Sequence, residues 1–477
     1  MKIEGLKSYF STIDPRLFNH VSGKPRQFID TFRSQLFLTE EAFKKRLCGD
    51  KFDEGYYRDL KSRTLRILQA LVIISPSKGA SIVKKKFEIC QKKFLIGQKF
   101  LTQDDREEGL RLVKQAFLDA ENYGFTHLAC EIASILHHDA VYYSKSSRST
   151  KLYAQKSRQY LKDYTAEKEA EIQFHEIVEQ LHKSTIAPHK LKRAIEDIEY
   201  YNGHSIKYKV HLAFLKVLYG LHTGSHSHII DTCTKILLFF KNKKGVYPAH
   251  YFFFLQNRGV AQIAIKAHQE AYASFEEAEQ YTTNRAYNLY TLQYYITLNA
   301  LHAGDYLLAY TLYKKNKRCK IEHIRQHFAL IEAYLCFLSH AGYLTLNRPF
   351  RMSKYLNDTF KVQQDKKGNN INILIAELLV YLVRNRAKFI DRIEAVQHYS
   401  YRYLRTKETE RAKWFIKILC LLPKVDFHPI ALQRKAKRYI DLMKRHPARM
   451  GEQLAVEIIS FDVLLEMLID QLKKKVA

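Results

Sequence analysis

Apolar residues recur at steps of three and four along most of the chain, which is the spacing of one face of an α-helix. Between residues 108 and 122 the charged positions fall outside that face, and Asn122–Gly124 is a typical left-handed helix end. Alternation with a period of two never persists beyond a few residues. The pattern predicts an all-α protein of stacked antiparallel helical hairpins. The predicted interruptions are at 75–79, 144–150, 187–188, 201–203, 241–248, 347–349, 365–370, 423–429 and 446–447.

A packing motif recurs in the middle of the chain. Ala271, Phe275 and Ala278 have the small-aromatic-small spacing of the second helix of a tetratricopeptide repeat (TPR), in which small residues let two helices approach. Ala309 and Tyr313 follow 38 residues after Ala271 and Phe275. The TPR consensus Trp and Pro are absent, and ordinary core packing gives a similar stripe. The residues predicted to pack such repeats are Gly259, Ala271, Phe275, Ala278, Gly304, Asp305, Tyr306, Ala309 and Tyr313.

Four stretches carry a resemblance to a known family. Gln27–Phe32, Leu38–Phe52, Tyr57–Leu68 and the amphipathic Phe461–Ile469 resemble segments of TPR-like proteins common in Bacteroidota. The similarity extends loosely over the whole chain. It implies a divergent TPR-like α-solenoid that is bacterial, cytoplasmic and an adaptor, and it carries over no catalytic residue.

Composition excludes several other classes. Only 17 of the 477 residues are Gly and 9 are Pro, which disfavours a turn-rich β fold. The longest apolar runs, such as 418–422, are far shorter than a membrane span, and residues 1–10 lack the apolar core of a secretory signal. The seven cysteines show no C-x-x-C spacing, which is typical of a reducing compartment. We therefore expect a soluble cytoplasmic protein without membrane contact.

Histidine clusters are the main candidates for a metal site. One cluster contains a glycine and two serines and has the composition of a turn between helices. A second has the i, i+4 spacing of a zinc helix but lacks the glutamate at the required position, and a third is a single E-x-x-H. The sequence therefore predicts neither metal nor cofactor. The clusters are His222 with His226 and His228, His323 with His327, and Glu179 with His182.

Catalytic signatures are also missing. The sequence contains no phosphate-binding G-x-x-x-x-G-K-[ST], no dinucleotide-binding G-x-G-x-x-G after a strand and no G-x-S-x-G nucleophile elbow. An enzyme would need a closed pocket with convergent polar groups, for example around His175, Glu179 and His182. The sequence favours a protein that is not an enzyme.

Positive charge is large and uneven. The chain has 78 Lys and Arg against 49 Asp and Glu, a net charge of +29. Residues 51–100 have 12 basic and 4 acidic side chains, and residues 401–450 have 14 and 4. Such faces attract phosphates, although they also keep a protein soluble or steer an acidic partner. The residues of a possible anion- or nucleic-acid-binding face are Lys84, Lys85, Lys86, Lys92, Lys93, Arg434, Lys437, Arg438, Lys444 and Arg445.

These observations predict three regions and two alternative functions. Residues 1–80 form a helical cap, 81–400 a TPR-like helical-hairpin array, and 401–477 basic helices with an amphipathic capping helix at 451–473. The first function is a non-catalytic adaptor that binds a peptide or helix of another protein in a concave groove, with basic residues favouring an acidic partner. The alternative is a nucleic-acid- or ribosome-associated protein that uses the basic faces at 51–100 and 401–450. The tyrosines 287, 290 and 294 are expected in the core more than in base stacking.

Overall fold

The computed structural model shows an α-helical chain that divides into two units, Met1–Leu112 and Val113–Ala477. Throughout the described residues the secondary structure is helical, with no strand. The described residues are 6–34, 40–49, 53–77, 79–103, 105–183, 186–282, 286–346, 355, 369–404, 409–446 and 457–474.

The first unit has an aromatic core. Phe28 and Phe43 are fully buried and meet edge to face with ring centroids 4.9 Å apart, and Tyr57 packs beside both rings. The helix that carries Tyr57 begins at an N-cap in which the Asp53 side chain accepts a hydrogen bond from Gly55 N. The helices of this unit are α1 (Lys7–Thr12), a 3-10 turn (Pro15–His20), α2 (Gly23–Arg33), α3 (Glu40–Cys48), α4 (Glu54–Ile74), α5 (Ile82–Leu101) and the start of α6 (Arg106–Tyr123).

The second unit continues α6 and is a succession of helices joined by short turns. Those before the middle of the unit are α7 (Thr126–Tyr142), α8 (Ser147–Lys183), α9 (Pro188–Tyr200), α10 (Ile206–Thr223), α11 (His226–Phe240), α12 (Pro248–Ala264) and α13 (His268–Glu279). The later ones are α14 (Ala286–Ala303), α15 (Tyr306–Asn316), α16 (Glu322–His340), α17 (Asn369–Arg384), α18 (Arg386–Tyr403), α19 (Glu410–Leu421), α20 (Pro429–Lys444) and α21 (Phe461–Lys474).

Packing in this second unit is mainly between helices that are near in sequence. From α7 to α20 each helix packs against the next, and α8 with α10, α12 with α14 and α14 with α16 also pack together. Helices α10, α12, α14 and α16 begin at intervals of 42, 38 and 36 residues. One hydrophobic core extends without interruption from α10 to α21. A second core joins α8, α9 and α10.

Helix ends agree with the turn chemistry of the sequence. Gly124, Gly224 and Gly304 follow the ends of α6, α10 and α14, each with a positive φ, of +67°, +71° and +80°. The side chain of Asp305 then caps α15 by accepting a hydrogen bond from Leu308 N, 3.0 Å away. The predicted interruptions at 347–349, 365–368 and 447 lie outside the described residues.

The C-terminal helix is shorter than predicted. It begins at Phe461, and residues 457–460 are not helical, whereas 451–456 lie outside the described residues. The carboxylate of Glu457 accepts a hydrogen bond from Phe461 N, 2.9 Å away. Glu457 was predicted to lie within the helix, but it precedes the helix and caps its first residue. None of the described helices is both long and apolar enough to cross a bilayer.

Candidate functional site

One of the predicted repeat residues lies at a close contact between neighbouring helices. Gly259 of α12 faces the Phe275 ring of α13, and a Cβ atom at this glycine would come within 2.5 Å of that ring. The ring is itself fully buried between Ala271 and Ala278. On α15, Ala309 and Tyr313 occupy the positions of Ala271 and Phe275 and are buried, whereas Tyr306 is half-buried against Tyr343.

A row of aromatic and imidazole rings crosses α8, α10 and α12. We call it the aromatic row. Phe174 of α8 lies 5.3 Å from His211 and 5.5 Å from Phe214 of α10, measured between ring centroids. Phe214 in turn lies 4.5 Å from Phe253 and 6.0 Å from His250 of α12. These five rings are half-buried, whereas His175, which lies beside Phe174 and His211, is exposed. The aromatic row consists of Phe174, His175, His211, Phe214, His250 and Phe253.

A similar arrangement joins α14 and α16. Tyr294 stacks on His327 with ring centroids 4.8 Å apart, and Tyr287 lies 5.3 Å from His323. Tyr294 is buried, as expected for a core residue, but Tyr287 is 43% exposed. His323 and His327 lie on one helical face, as predicted, and the ring of each contacts a tyrosine ring.

Burial keeps several of these imidazoles neutral near pH 7. Burial is the main cause that lowers the pKa of His211, and it lowers the pKa of His250 and of His327 to about 4. The neighbouring His211 lowers the pKa of His250 further, and His323 does so for His327. The rings therefore act as flat, uncharged surface at neutral pH.

The other predicted chemical clusters stay dispersed. Glu179 forms an ion pair with Lys183 at 2.5 Å, and His175 and His182 are exposed on the same helix. Gly224 makes the predicted turn between His222 and His226. In the part of the chain that the structure describes, no three His, Cys, Asp or Glu side chains are placed to hold one metal ion. Burial also raises the pKa of Cys336 and of Cys420 to about 11, so these thiols are protonated at neutral pH.

The predicted basic residues belong to both units. Lys84 and Lys85 are exposed on α5 of the first unit, whereas Lys86, Lys92 and Lys93 are half-buried there. On α20 of the second unit the apolar residues Leu432, Ala436 and Met443 are buried, as predicted from their spacing. The cations of the opposite face are all exposed, namely Arg434, Lys437, Arg438, Lys444 and Arg445.

A basic aromatic site lies beside that face and was not predicted. Trp414 of α19 stacks on Tyr439 of α20, with ring centroids 6.0 Å apart and planes 16° from parallel. Lys417 Nζ lies 4.7 Å from the Trp414 centroid and 5.5 Å from that of Tyr439, and Lys413 Nζ lies 5.2 Å from Trp414. We call these four residues with Arg438 the Trp414 cluster. In the sequence, the i, i+3 spacing of Trp414 and Lys417 indicates that these two side chains are neighbours on a helix. It does not indicate the stacked ring of Tyr439, which lies on another helix.

One arginine that contributes to the basic charge of 401–450 is buried. Arg411 is 8% exposed and forms ion pairs with Glu457 at 2.5 Å and with Asp462 at 2.9 Å. Its guanidinium also donates to the backbone carbonyls of Met443 and His446 at 2.9 and 3.0 Å. Burial alone would lower the pKa of Arg411, but the two carboxylates outweigh it and raise it. This residue therefore holds α19, α20 and the start of α21 together.

Comparison with known proteins gives no assignment. No model of a known protein family matches the chain, and no curated protein shows significant sequence similarity to it.

Proposed function

We propose that this protein is a non-catalytic scaffold of the TPR-like type, which binds a peptide or helix of another protein along its second unit. The proposal includes a solenoid arrangement of α10 to α16. Three observations support it: each helix packs against the next, the first helices of successive hairpins pack together, and Gly259 meets Phe275 at the small-aromatic contact of a TPR hairpin.

The aromatic row is the observation that carries the binding proposal. Its rings are contributed by α8, α10 and α12. Five of them remain half-buried within the folded chain, and the sixth, His175, is exposed. Partly exposed aromatic side chains supply large contact area at little entropic cost, which is why they dominate the energetics of interfaces. Because burial keeps His211 and His250 neutral, the row presents flat, uncharged surface to a partner.

Charge around the row favours an acidic partner. Residues 201–250, which include α10, α11 and the start of α12, have seven basic side chains and one acidic one. Basic side chains on a binding surface raise the rate at which an acidic partner associates, and this effect weakens as salt is added. The partner class we propose is therefore an acidic segment with apolar side chains that contact the row.

Site-specific photo-cross-linking tests this proposal. A benzophenone amino acid at position 253 lies in the row, and the same group at Leu238, which is 56% exposed on α11, serves as the matched control. We expect discrete cross-linked partners from position 253 that are absent from position 238. The partner identified in this way is then purified for direct measurement of the dissociation constant.

Two variants decide whether the row itself binds. We expect Phe253→Ala and His175→Ala each to weaken the purified complex by about ten-fold, whereas Leu238→Ala leaves the dissociation constant unchanged. His175 is exposed, so its replacement tests the row without disturbing the core. Equal cross-linking from both positions, or unchanged affinity in both row variants, contradicts the proposal.

A further inference from the structure

We propose that the Trp414 cluster and the exposed cations of α20 bind the phosphodiester backbone of nucleic acid without reading its sequence. This site is separate from the aromatic row, and it depends on different residues. It can therefore be tested independently of the protein-binding function proposed above.

The Trp414 cluster concentrates positive charge on an aromatic platform. Lys413 and Lys417 both lie over the Trp414 ring, and Lys417 is shared with the stacked Tyr439. Burial is the largest cause that lowers the pKa of Lys417, and the charges of Lys413 and Arg438 lower it further. The aromatic faces thus hold like charges close together, where an anion would relieve their repulsion.

These cations lack the partners that surface cations have elsewhere in the protein. Exposed Lys183 and Lys235 each form an ion pair with a carboxylate one turn away, Glu179 and Asp231. Over the described residues, Lys413, Lys417 and Arg438 have no carboxylate within 4.0 Å.

The acidic residues near these cations do not neutralise their positive charge. Glu410 lies in the first turn of the same helix as Lys413, and its Oε2 is 2.9 Å from Nε2 of His446. On α20 the only acidic residue is Asp441, which lies among five exposed cations. The helix face therefore keeps a net positive charge that a bound anion would neutralise.

The exposed face of α20 extends the site into a line of charge. Its first and last cations, Arg434 and Arg445, are eleven residues apart, which corresponds to about 16 Å along a helix. Regularly spaced phosphates match such a line better than isolated carboxylates do, and each neutralised phosphate releases counterions. The length and net positive charge of this face favour a nucleic-acid backbone over an acidic protein.

Stacking of a base on these rings would compete with contacts already made within the cluster. Tyr439 covers one side of Trp414 in a stacked geometry, and the two lysine side chains lie over the ring. A base would have to displace one of them before it could stack on the indole. We therefore infer that phosphates are contacted and bases are not, and that affinity is the same for oligonucleotides of different sequence.

The single tryptophan of the chain gives a direct reporter. Trp414 is the only one, so its fluorescence follows this site alone. The experiment titrates the full chain with a 20-nucleotide single strand and with a 20-base-pair duplex at several salt concentrations. Anisotropy of a labelled oligonucleotide serves as the second readout. We expect a saturable fluorescence change and an affinity that falls steeply with salt, independently of sequence.

A charge-matched pair of double variants tests the residues. K413Q/K417Q removes the two lysines on the indole, whereas K314Q/K315Q removes two exposed lysines of α15, one of which also lies over a ring, that of Tyr310 at 4.7 Å. We expect the first pair to weaken binding by about ten-fold or more and to reduce the slope of log affinity against log salt by about one to two. The second pair should leave the slope unchanged.

Three outcomes overturn the inference. The first is the absence of binding at 50 mM salt to both nucleic acids. The second is an equal loss of affinity in the two double variants, which would mean that only net charge matters. The third is competition by poly-glutamate as strong as that by the oligonucleotide at equal charge, which would make this an acidic-protein site. His175→Ala, which tests the aromatic row, should leave nucleic-acid binding unchanged.

Discussion

At the scale of single residues, Arg411 shows that formal charge and surface charge differ. By sequence it is one of the 14 basic residues that make 401–450 so positive. In the structure it is buried, paired with Glu457 and Asp462, and bonded to two carbonyls near the end of α20. Its partners lie 32 to 51 residues away, so no local pattern indicates them.

We expect Arg411→Met to destabilise the second unit by about 3–5 kcal/mol, because it leaves the Glu457 carboxylate buried without its partner. Chemical denaturation followed by circular dichroism measures the change. Lys235→Ala is the control, since it breaks an exposed ion pair with Asp231 and should cost at most about 1 kcal/mol. Similar losses in the two variants would contradict a structural role for the buried arginine.

At the scale of helices, the sequence pattern predicts those features that depend on residues close together in the chain. The helix ends at Gly124 and Gly224 depend on left-handed backbone and on the residues beside it, and the sequence predicts both turns. The start of α21 was predicted wrongly, because the Glu457 side chain caps it from outside the apolar pattern. The aromatic row was missed because its rings meet across α8, α10 and α12.

Gly259 of α12 lies against the Phe275 ring of α13, so a larger side chain at this position should separate the two helices. Alanine normally stabilises a helix relative to glycine, but a Cβ at Gly259 would reach within 2.5 Å of the Phe275 ring. We expect Gly259→Ala to reduce the free energy of unfolding by about 1–3 kcal/mol in a urea titration.

Gly55→Ala is the matched control for this substitution, because the nearest atom to its new Cβ would be an Asp53 carboxylate oxygen at 3.4 Å. It should be neutral or slightly stabilising. A Gly259→Ala protein as stable as the original would show that the two helices have room to separate.

At the scale of the whole molecule, buried histidines couple stability to pH. His250, His302 and His327 all lie in the second unit, and burial lowers the pKa of each to about 4. His302 keeps this low value although its Nε2 is 2.7 Å from the backbone carbonyl of Glu457, a contact that favours the protonated ring. Unfolding returns each imidazole to a pKa near 6.5.

The sign of the effect follows from these values. Between pH 6.5 and 4 the unfolded chain binds protons that the folded chain does not, so stability falls as the pH falls through this window. Above pH 6.5 the stabilising contribution is fully present. Each histidine adds up to about 1.4 kcal/mol per pH unit to the slope.

His327→Phe isolates one of these contributions while keeping a ring against Tyr294. Its free energy of unfolding should fall less steeply than that of the original protein between pH 6.5 and 4, by up to about 1.4 kcal/mol per pH unit. Denaturant titrations at half-unit steps, followed by Trp414 fluorescence, measure the slope in the second unit, where that residue lies. Parallel slopes would mean that the pKa of His327 is the same in the folded and unfolded chains, which contradicts the lowering of this pKa by burial.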